Sequence, residues 1–246
     1  MTDIYWVFSI LLGMLSAILV EIGVAILPPP ETYHPCPRCG STLHRFGFGY
    51  CRACSSWVSP RFLAELAVFV VGFSYLANHQ TAPYFFWLGA ITLVYLGLVA
   101  FIDIEVHLIQ HKVALAGLLL AMLVGSQVHG YRSSFVGGGI AIVLMGLFYL
   151  LGRWYAKVKA KRMHQDPANA IDEALGFGDV SLSAILGLFL GHAHVFQRLV
   201  SGILLAGAYS LILVITMMLR KDFDPEKAIP YGPFLIFGAA IYLFPF

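Results

Sequence analysis

Two aspartates have settings that invite chemistry. Asp103 follows a long apolar run, within Phe101, Ile102, Asp103, Ile104 and Glu105. A carboxylate is disfavoured at a helix C-terminus, where the dipole is negative, and it is costly beside lipid. Asp103 therefore lacks an obvious structural purpose, unless it marks the water boundary and reaches solvent with Glu105. Asp179 ends the string Gly176, Phe177, Gly178, Asp179 and opens a further apolar run from Val180. The glycines permit a sharp turn and close approach. An ordinary helix N-cap is the competing reading, because Asp is a favoured N-cap residue. As a pair, the two suggest acid–base work. Adjacent carboxylates cannot both ionise easily, so one keeps a proton while the other draws one from water. Aspartic proteolysis works this way. One carboxylate activates the water, the other protonates or hydrogen-bonds the scissile carbonyl, and the roles exchange as the tetrahedral intermediate collapses.

The four cysteines lie together as Cys36, Cys39, Cys51 and Cys54, two C-x2-C knuckles separated by eleven residues. Paired knuckles of this spacing read as a tetrahedral four-thiolate zinc site. Pro37 and Gly40 suit the tight turn of a knuckle. Four thiolates leave no open position, so such a zinc is structural. Two disulfides or four free thiols are the alternatives. A thiolate shell implies a reducing compartment, which places this loop in the cytoplasm.

Other polar residues form weaker sets. Ser55 and Ser56 lie in the cysteine loop without a paired His and acid. His107 and His111 have the spacing of two ligands on one helical face, but no third ligand is evident, and interfacial residues are the plainer reading. Glu21 sits inside the first apolar run. It is either a functional residue at membrane depth or an interfacial one reaching water.

The elements that position these groups must be membrane helices. Of 246 residues, 59% are hydrophobic and 11% charged, with a mean hydropathy of +0.82. Soluble domains carry roughly a quarter charged residues. A soluble enzyme, a disordered chain and a basic nucleic-acid binder are excluded. The run from Tyr5 to Leu27 is long enough to span a bilayer, and its only early charge is Asp3, unlike a signal peptide. Seven more apolar segments follow, near Phe62–Asn78, Tyr84–Ile102, Val113–Val128, Ser134–Gly152, Val180–Gly191, Val195–Leu219 and Gly232–Phe244. The expectation is an all-α polytopic bundle of about eight transmembrane helices. The segment after Asp179 is short for a span unless it is buried among other helices.

Charge sets the orientation. The cysteine loop carries Arg38, Arg45, Arg52 and Arg61, and the next loop on that side Lys112. Arg153, Lys157, Lys159, Lys161 and Arg162 follow, then Arg220, Lys221 and Lys227. These are 13 of the 15 Lys and Arg, and only Arg132 and Arg198 fall on the other side. By the positive-inside rule the four loops face the cytoplasm and both termini lie outside. The stretch Arg153–Arg162 could contact anionic lipid heads, although orientation alone explains it. Asp166–Ala174 reads as a polar linker.

The ordered motifs resemble a family. Cys36-Pro-Arg-Cys-Gly, Cys51-Arg-Ala-Cys54, Asp103 after Phe101 and Ile102, Glu173-Ala-Leu-Gly-Phe-Gly-Asp179 and Ile229-Pro-Tyr-Gly-Pro-Phe-Leu235 occur in that order. The set is similar to the bacterial type IV prepilin peptidases, membrane aspartic proteases of the GxGD kind, from about residue 36 to the C-terminus. The resemblance implies a catalytic pair of Asp103 and Asp179, framed by Gly176 and Gly178, and zinc cysteines at 36, 39, 51 and 54. It implies a supporting Glu65 in the segment from Ser59, and Pro230, Gly232 and Pro233 in the last motif. The implied substrate is the helix of a prepilin or pseudopilin, cut at the cytoplasmic face of the inner membrane. Many members then methylate the new N-terminus with S-adenosylmethionine. Residues 1–28 would form the first membrane helix, 29–61 the cytoplasmic zinc loop and 62–246 the peptidase core. The acidic Asp166, Asp172 and Glu173 could attract a basic leader, or simply solvate the linker.

The chain departs from the family in places. Ile18-Leu-Val-Glu21 and Ile26 replace a small-Phe-Leu-Asn stretch and an Arg, and the zinc loop is shorter. These differences bear on methyl transfer. Gln110-His111 replaces Pro-Asp, and Ser181 replaces a Lys, which bears on substrate binding or carboxylate ionisation. The competing functional class is a non-catalytic membrane scaffold with a zinc knuckle. A transporter using Glu21 is a further one.

Overall fold

The computed structural model describes residues 2–27, 39, 50–51, 53–57, 61–79, 83–107, 109–163, 176–220 and 230–243. Among these are eight helices and one two-stranded hairpin. The helices are α1 (Thr2–Ile26), α2 (Arg61–His79), α3 (Pro83–Val106) and α4 (His111–His129). They continue with α5 (Tyr131–Met163), α6 (Phe177–Leu190), α7 (Val195–Arg220) and α8 (Gly232–Leu243). The hairpin pairs β1 (Tyr50–Cys51) with β2 (Ser56–Trp57) antiparallel, Cys51 opposite Ser56. In lipid no water can satisfy a backbone N–H or C=O, so apolar segments of this length fold as helices. Six of them, α1 to α5 and α7, are long and apolar enough to cross a membrane. The fold is an all-helical, polytopic membrane architecture with a small cysteine-bearing hairpin.

The chain divides into two compact units, residues 1–106 and 107–243. In the first, α1, α2 and α3 pack on one another. Glycines bring them close. A Cβ on Gly13 of α1 would lie 2.7 Å from Val70 of α2, and one on Gly72 of α2 would lie 2.6 Å from Leu93 of α3. A Cβ on Gly23 would meet Leu98 at 2.7 Å. Without a hydrophobic force between helices in lipid, this van der Waals fit is what holds them. Phe69, Phe73, Leu76, Leu96 and Ile102 fill the space between them.

In the second unit α6 packs against α4, α5, α7 and α8. Every residue from Leu182 to Leu190 is buried. Its 14 residues extend only about 21 Å, short of the roughly 30 Å hydrocarbon core. Burial by its neighbours explains how so short an apolar helix is accommodated. Gly125 of α4 and Gly137 of α5 admit the α6 backbone so closely that a Cβ on either would overlap a carbonyl, of Leu188 or of Gly187. Ser134 Oγ donates to the Leu188 carbonyl at 2.7 Å in this buried seam. The exposed side chains Leu204, Leu211, Ile212 and Met218 on α7 suit contact with acyl chains.

The helix boundaries fall within a few residues of the apolar runs, with one larger difference. The basic stretch after Gly152 does not leave the helix: α5 continues to Met163. Arg153 donates to Tyr149 Oη at 3.0 Å and stacks over its ring at 5.5 Å, which ties the charge back onto the helix.

Candidate active site and cysteine cluster

Asp103 lies one turn before the end of α3 and is only 5% exposed. Its chain neighbours Phe101 and Ile102 are buried as well. The reading that Asp103 reaches solvent at the water boundary is therefore overturned. A buried carboxylate carries a large desolvation cost, so it is held where it is by the packing and polar contacts around it. Glu21 on α1 is 7% exposed and Glu65 on α2 is 0% exposed. The reading that Glu21 reaches water fails for the same reason. All three acids belong to the first unit. Each lies near the helix end that faces residues 28–60 or follows α3, that is, the end expected to be cytoplasmic.

Asp179 belongs to the second unit and is half-buried. It is not the N-cap. Gly176 caps α6 with φ −70° and ψ 149°, and Asp179 is the third helical residue, its N–H bonded to the Gly176 carbonyl at 3.1 Å. An acid in the first turn interacts favourably with the helix dipole. The glycines also act differently from the expected sharp turn, since neither has a positive φ. Gly178 is needed for space: a Cβ there would lie 3.2 Å from Ile109 Cβ. At Gly176 a Cβ would meet only ordinary contacts, the nearest side-chain atom being Asp179 Oδ2 at 4.0 Å.

His107 and His111 do not share a helical face. His107 follows the last residue of α3 in a left-handed conformation, φ 54°, and His111 begins α4. Ser181 Oγ donates to the Phe177 carbonyl at 3.2 Å. In the last motif, Pro230 precedes α8, while Gly232 and Pro233 form its first turn. Proline is tolerated there because a first-turn N–H has no helical acceptor. The linker acids Asp166, Asp172 and Glu173 lie outside the described residues.

The hairpin gathers sulfur. Cys51 is on β1, Cys54 is in the turn, and Ser55 turns the chain with φ 49°. Cys39 Sγ lies 3.6 Å from Cys51 Sγ, well beyond the roughly 2 Å of a disulfide. The sulfurs of Cys39, Cys51 and Cys54 all lie within 4.8 Å of one another. Thiolates around a tetrahedral zinc, at about 2.3 Å from the metal, stand roughly 3.8 Å apart. The donor set and its spacing fit such an ion. Cys36 lies outside the described residues.

Residues 90–211 match the type IV leader peptidase family, a stretch that contains both Asp103 and Asp179. The chain belongs to that family. The family's match does not extend to the cysteine loop. Curated relatives cover more of the chain. The prepilin leader peptidase/N-methyltransferase of Aeromonas hydrophila is 28% identical over 79% of this chain and 62% of its own length. That of Aeromonas salmonicida is 27% identical over 85% of this chain and 69% of its own length. That of Pseudomonas aeruginosa is 26% identical over 90% of this chain and 77% of its own length. The chain thus spans less than two thirds of the Aeromonas hydrophila relative. No solved structure matches it.

Proposed function

We propose that this member of the type IV leader peptidase family is an aspartic endopeptidase of the bacterial inner membrane. It removes the leader from type IV prepilins or pseudopilins at the cytoplasmic face. The observation that carries the reading is the family match spanning Asp103 and Asp179, two acids that a merely structural membrane helix has no need to keep. Asp103 and Asp179 are the catalytic pair. The ionised carboxylate takes a proton from water, whose oxygen attacks the scissile carbonyl. The protonated carboxyl donates to the carbonyl oxygen. As the C–N bond breaks, the leaving amine takes a proton from the acid just formed. Gly178 keeps the first turn of α6, and with it Asp179, against Ile109. Glu65 supports the cytoplasmic ends of the helices.

Cys36, Cys39, Cys51 and Cys54 hold a structural zinc that ties the hairpin together. The substrate helix lies in the bilayer with its basic leader in the cytoplasm. The relatives' names also include N-methyltransferase. On that reading, S-adenosylmethionine supplies a methyl group to the amine freed by cleavage.

The test is incubation of the purified protein in proteoliposomes with a prepilin from the same genome, read by mass spectrometry. A single cut at the end of the leader is expected, and the mass of the mature N-terminus reads methylation in the same spectrum. A folded, zinc-loaded protein that cuts no pilin-like substrate contradicts the peptidase reading and favours a zinc-knuckle scaffold.

A further inference from the structure

The end of α6 opposite Asp179 carries a second polar cluster that peptide hydrolysis does not use. Gly130, φ 77°, joins α4 to α5, and Gly191, φ 68°, turns the chain out of α6 toward His192, Ala193 and His194. The two corners are packed together. A Cβ on Gly191 would lie 2.8 Å from Ser133 Oγ and 3.2 Å from His129 Cγ. Ser133 Oγ accepts the His192 N–H at 3.3 Å and lies 2.8 Å from the same residue's Nδ1. Between the corners is a cleft of about 690 Å3 whose polar lining includes His129, Arg132, Ser133 and His192. No carboxylate lines it among the described residues.

The chemistry of this lining selects an anion. Arg132 is permanently charged, and its guanidinium fork matches the oxygens of a phosphate. The bonded pair of Ser133 and His192 adds one neutral donor, His192 Nε2–H when the hydroxyl donates to Nδ1 or the hydroxyl when Nδ1 donates to it, and the cleft is the size of a small-ligand pocket. Arg132 is also one of the two basic residues that fall on the side opposite the other 13, so orientation does not account for it. The second, Arg198, is buried in the first turn of α7 and does not line the cleft, its backbone N–H bonded to the His194 carbonyl at 3.1 Å. The depth is informative as well. The apolar span of α4 ends at His129 and that of α5 begins at Tyr131, which puts the cleft at the membrane–water boundary. Tyr131, exposed there, suits the interfacial belt, and Val136 supplies apolar lining one turn deeper.

We infer that this cleft binds a phosphate group, the phosphodiester of a membrane lipid being the form that its depth favours. The test uses the full-length protein in a phosphate-free detergent with isotope-labelled histidine. Dihexanoyl phosphatidylglycerol and inorganic phosphate are titrated separately, and the His129 and His192 ring resonances are followed. Phosphatidylglycerol is expected to shift both rings saturably. Arg132→Gln is expected to weaken its binding about tenfold, the loss of one charge-assisted contact, with His192→Gln weakening it similarly. Arg132→Lys, which keeps the charge and loses the fork, should fall between. Thermal unfolding and prepilin cleavage should be unchanged in all three, which separates loss of the site from loss of the fold. Saturation by inorganic phosphate but not by the lipid would support the phosphate site with a free anion as its occupant. Equal shifts with dihexanoyl glycerol, which has no phosphate, would overturn the inference. So would no shift with either probe, or wild-type affinity in Arg132→Gln.

Discussion

Gly178 and Ile109 touch where the first turn of α6 meets the chain entering α4: a Cβ on Gly178 would stand 3.2 Å from Ile109 Cβ. Asp179 is the next residue. The Gly178 position therefore sets how far the carboxylate-bearing turn sits from its neighbour. Gly176, only two residues earlier, has room to spare. The two glycines of the motif do different work, and substitution separates them.

Gly178→Leu should displace the first turn of α6 and lower prepilin cleavage about tenfold or more, as a misplacement near 1 Å does. Gly176→Ser should keep activity, since the space is open and Ser is a good N-cap. Cleavage rates of the two variants at equal protein loading check this. Equal losses in both would show that the motif acts through backbone freedom instead of packing.

The α6 seam should be the least tolerant part of the second unit. Gly125→Ala drives a methyl group into the Leu188 carbonyl, a backbone contact that cannot swing away. Overpacking of this kind costs about 1–3 kcal/mol. Gly139→Ala and Gly146→Ala meet nothing within 4 Å, so helix propensity should make them neutral or stabilising by up to about 1 kcal/mol. Thermal unfolding in detergent, measured on all three, tests the contrast.

Ser134→Ala removes the buried bond to the Leu188 carbonyl. Bonds of this type inside membrane proteins are worth about 0.6 kcal/mol on average. A small fall in unfolding midpoint, with cleavage retained, is the expected result. Loss of activity without loss of stability would show that the bond tunes α6 and does more than hold it.

Zinc should load the purified protein at about one ion per chain, and Cys51→Ser should abolish that loading, because a structural site needs its full thiolate shell. Elemental analysis reads the metal. Proteolysis of the cysteine loop should quicken in the variant while α4 to α7 stay protected. A metal-free wild-type protein that keeps its loop protected would contradict the structural role.

Much of the helical plan was legible because lipid leaves the backbone few choices. A long apolar run must become a helix, so α1 to α4 and α7 could be placed within a few residues, and α5 everywhere but at its basic C-terminal end, which continues to Met163. Even the shortness of α6 was readable, together with the reason, burial among other helices. What the residues alone could not give is contact between distant segments. Nothing near Gly178 in sequence signals Ile109, and nothing near Gly125 signals Leu188. The burial of Asp103 and Glu21 was hidden for the same reason, since an acid beside an apolar run looks interfacial until its packing is known. Asp is so good an N-cap that local preference kept Asp179 open as the cap of α6, whereas the cap is Gly176 and the helix starts at Phe177. The cleft at Arg132 left one trace, a basic residue on the side expected from the sequence to be poor in them.

The central claim is that Asp103 and Asp179 together perform the cleavage. It is tested most directly by replacing each singly with Asn, which keeps the shape and removes the ionisable proton. Cleavage of a prepilin in proteoliposomes is the readout, with unfolding midpoints and zinc content confirming an intact protein. The expected result is loss of at least about a thousandfold in rate for either variant, in line with removal of an acid–base group. Near wild-type cleavage by a folded Asp103→Asn or Asp179→Asn protein would contradict the account.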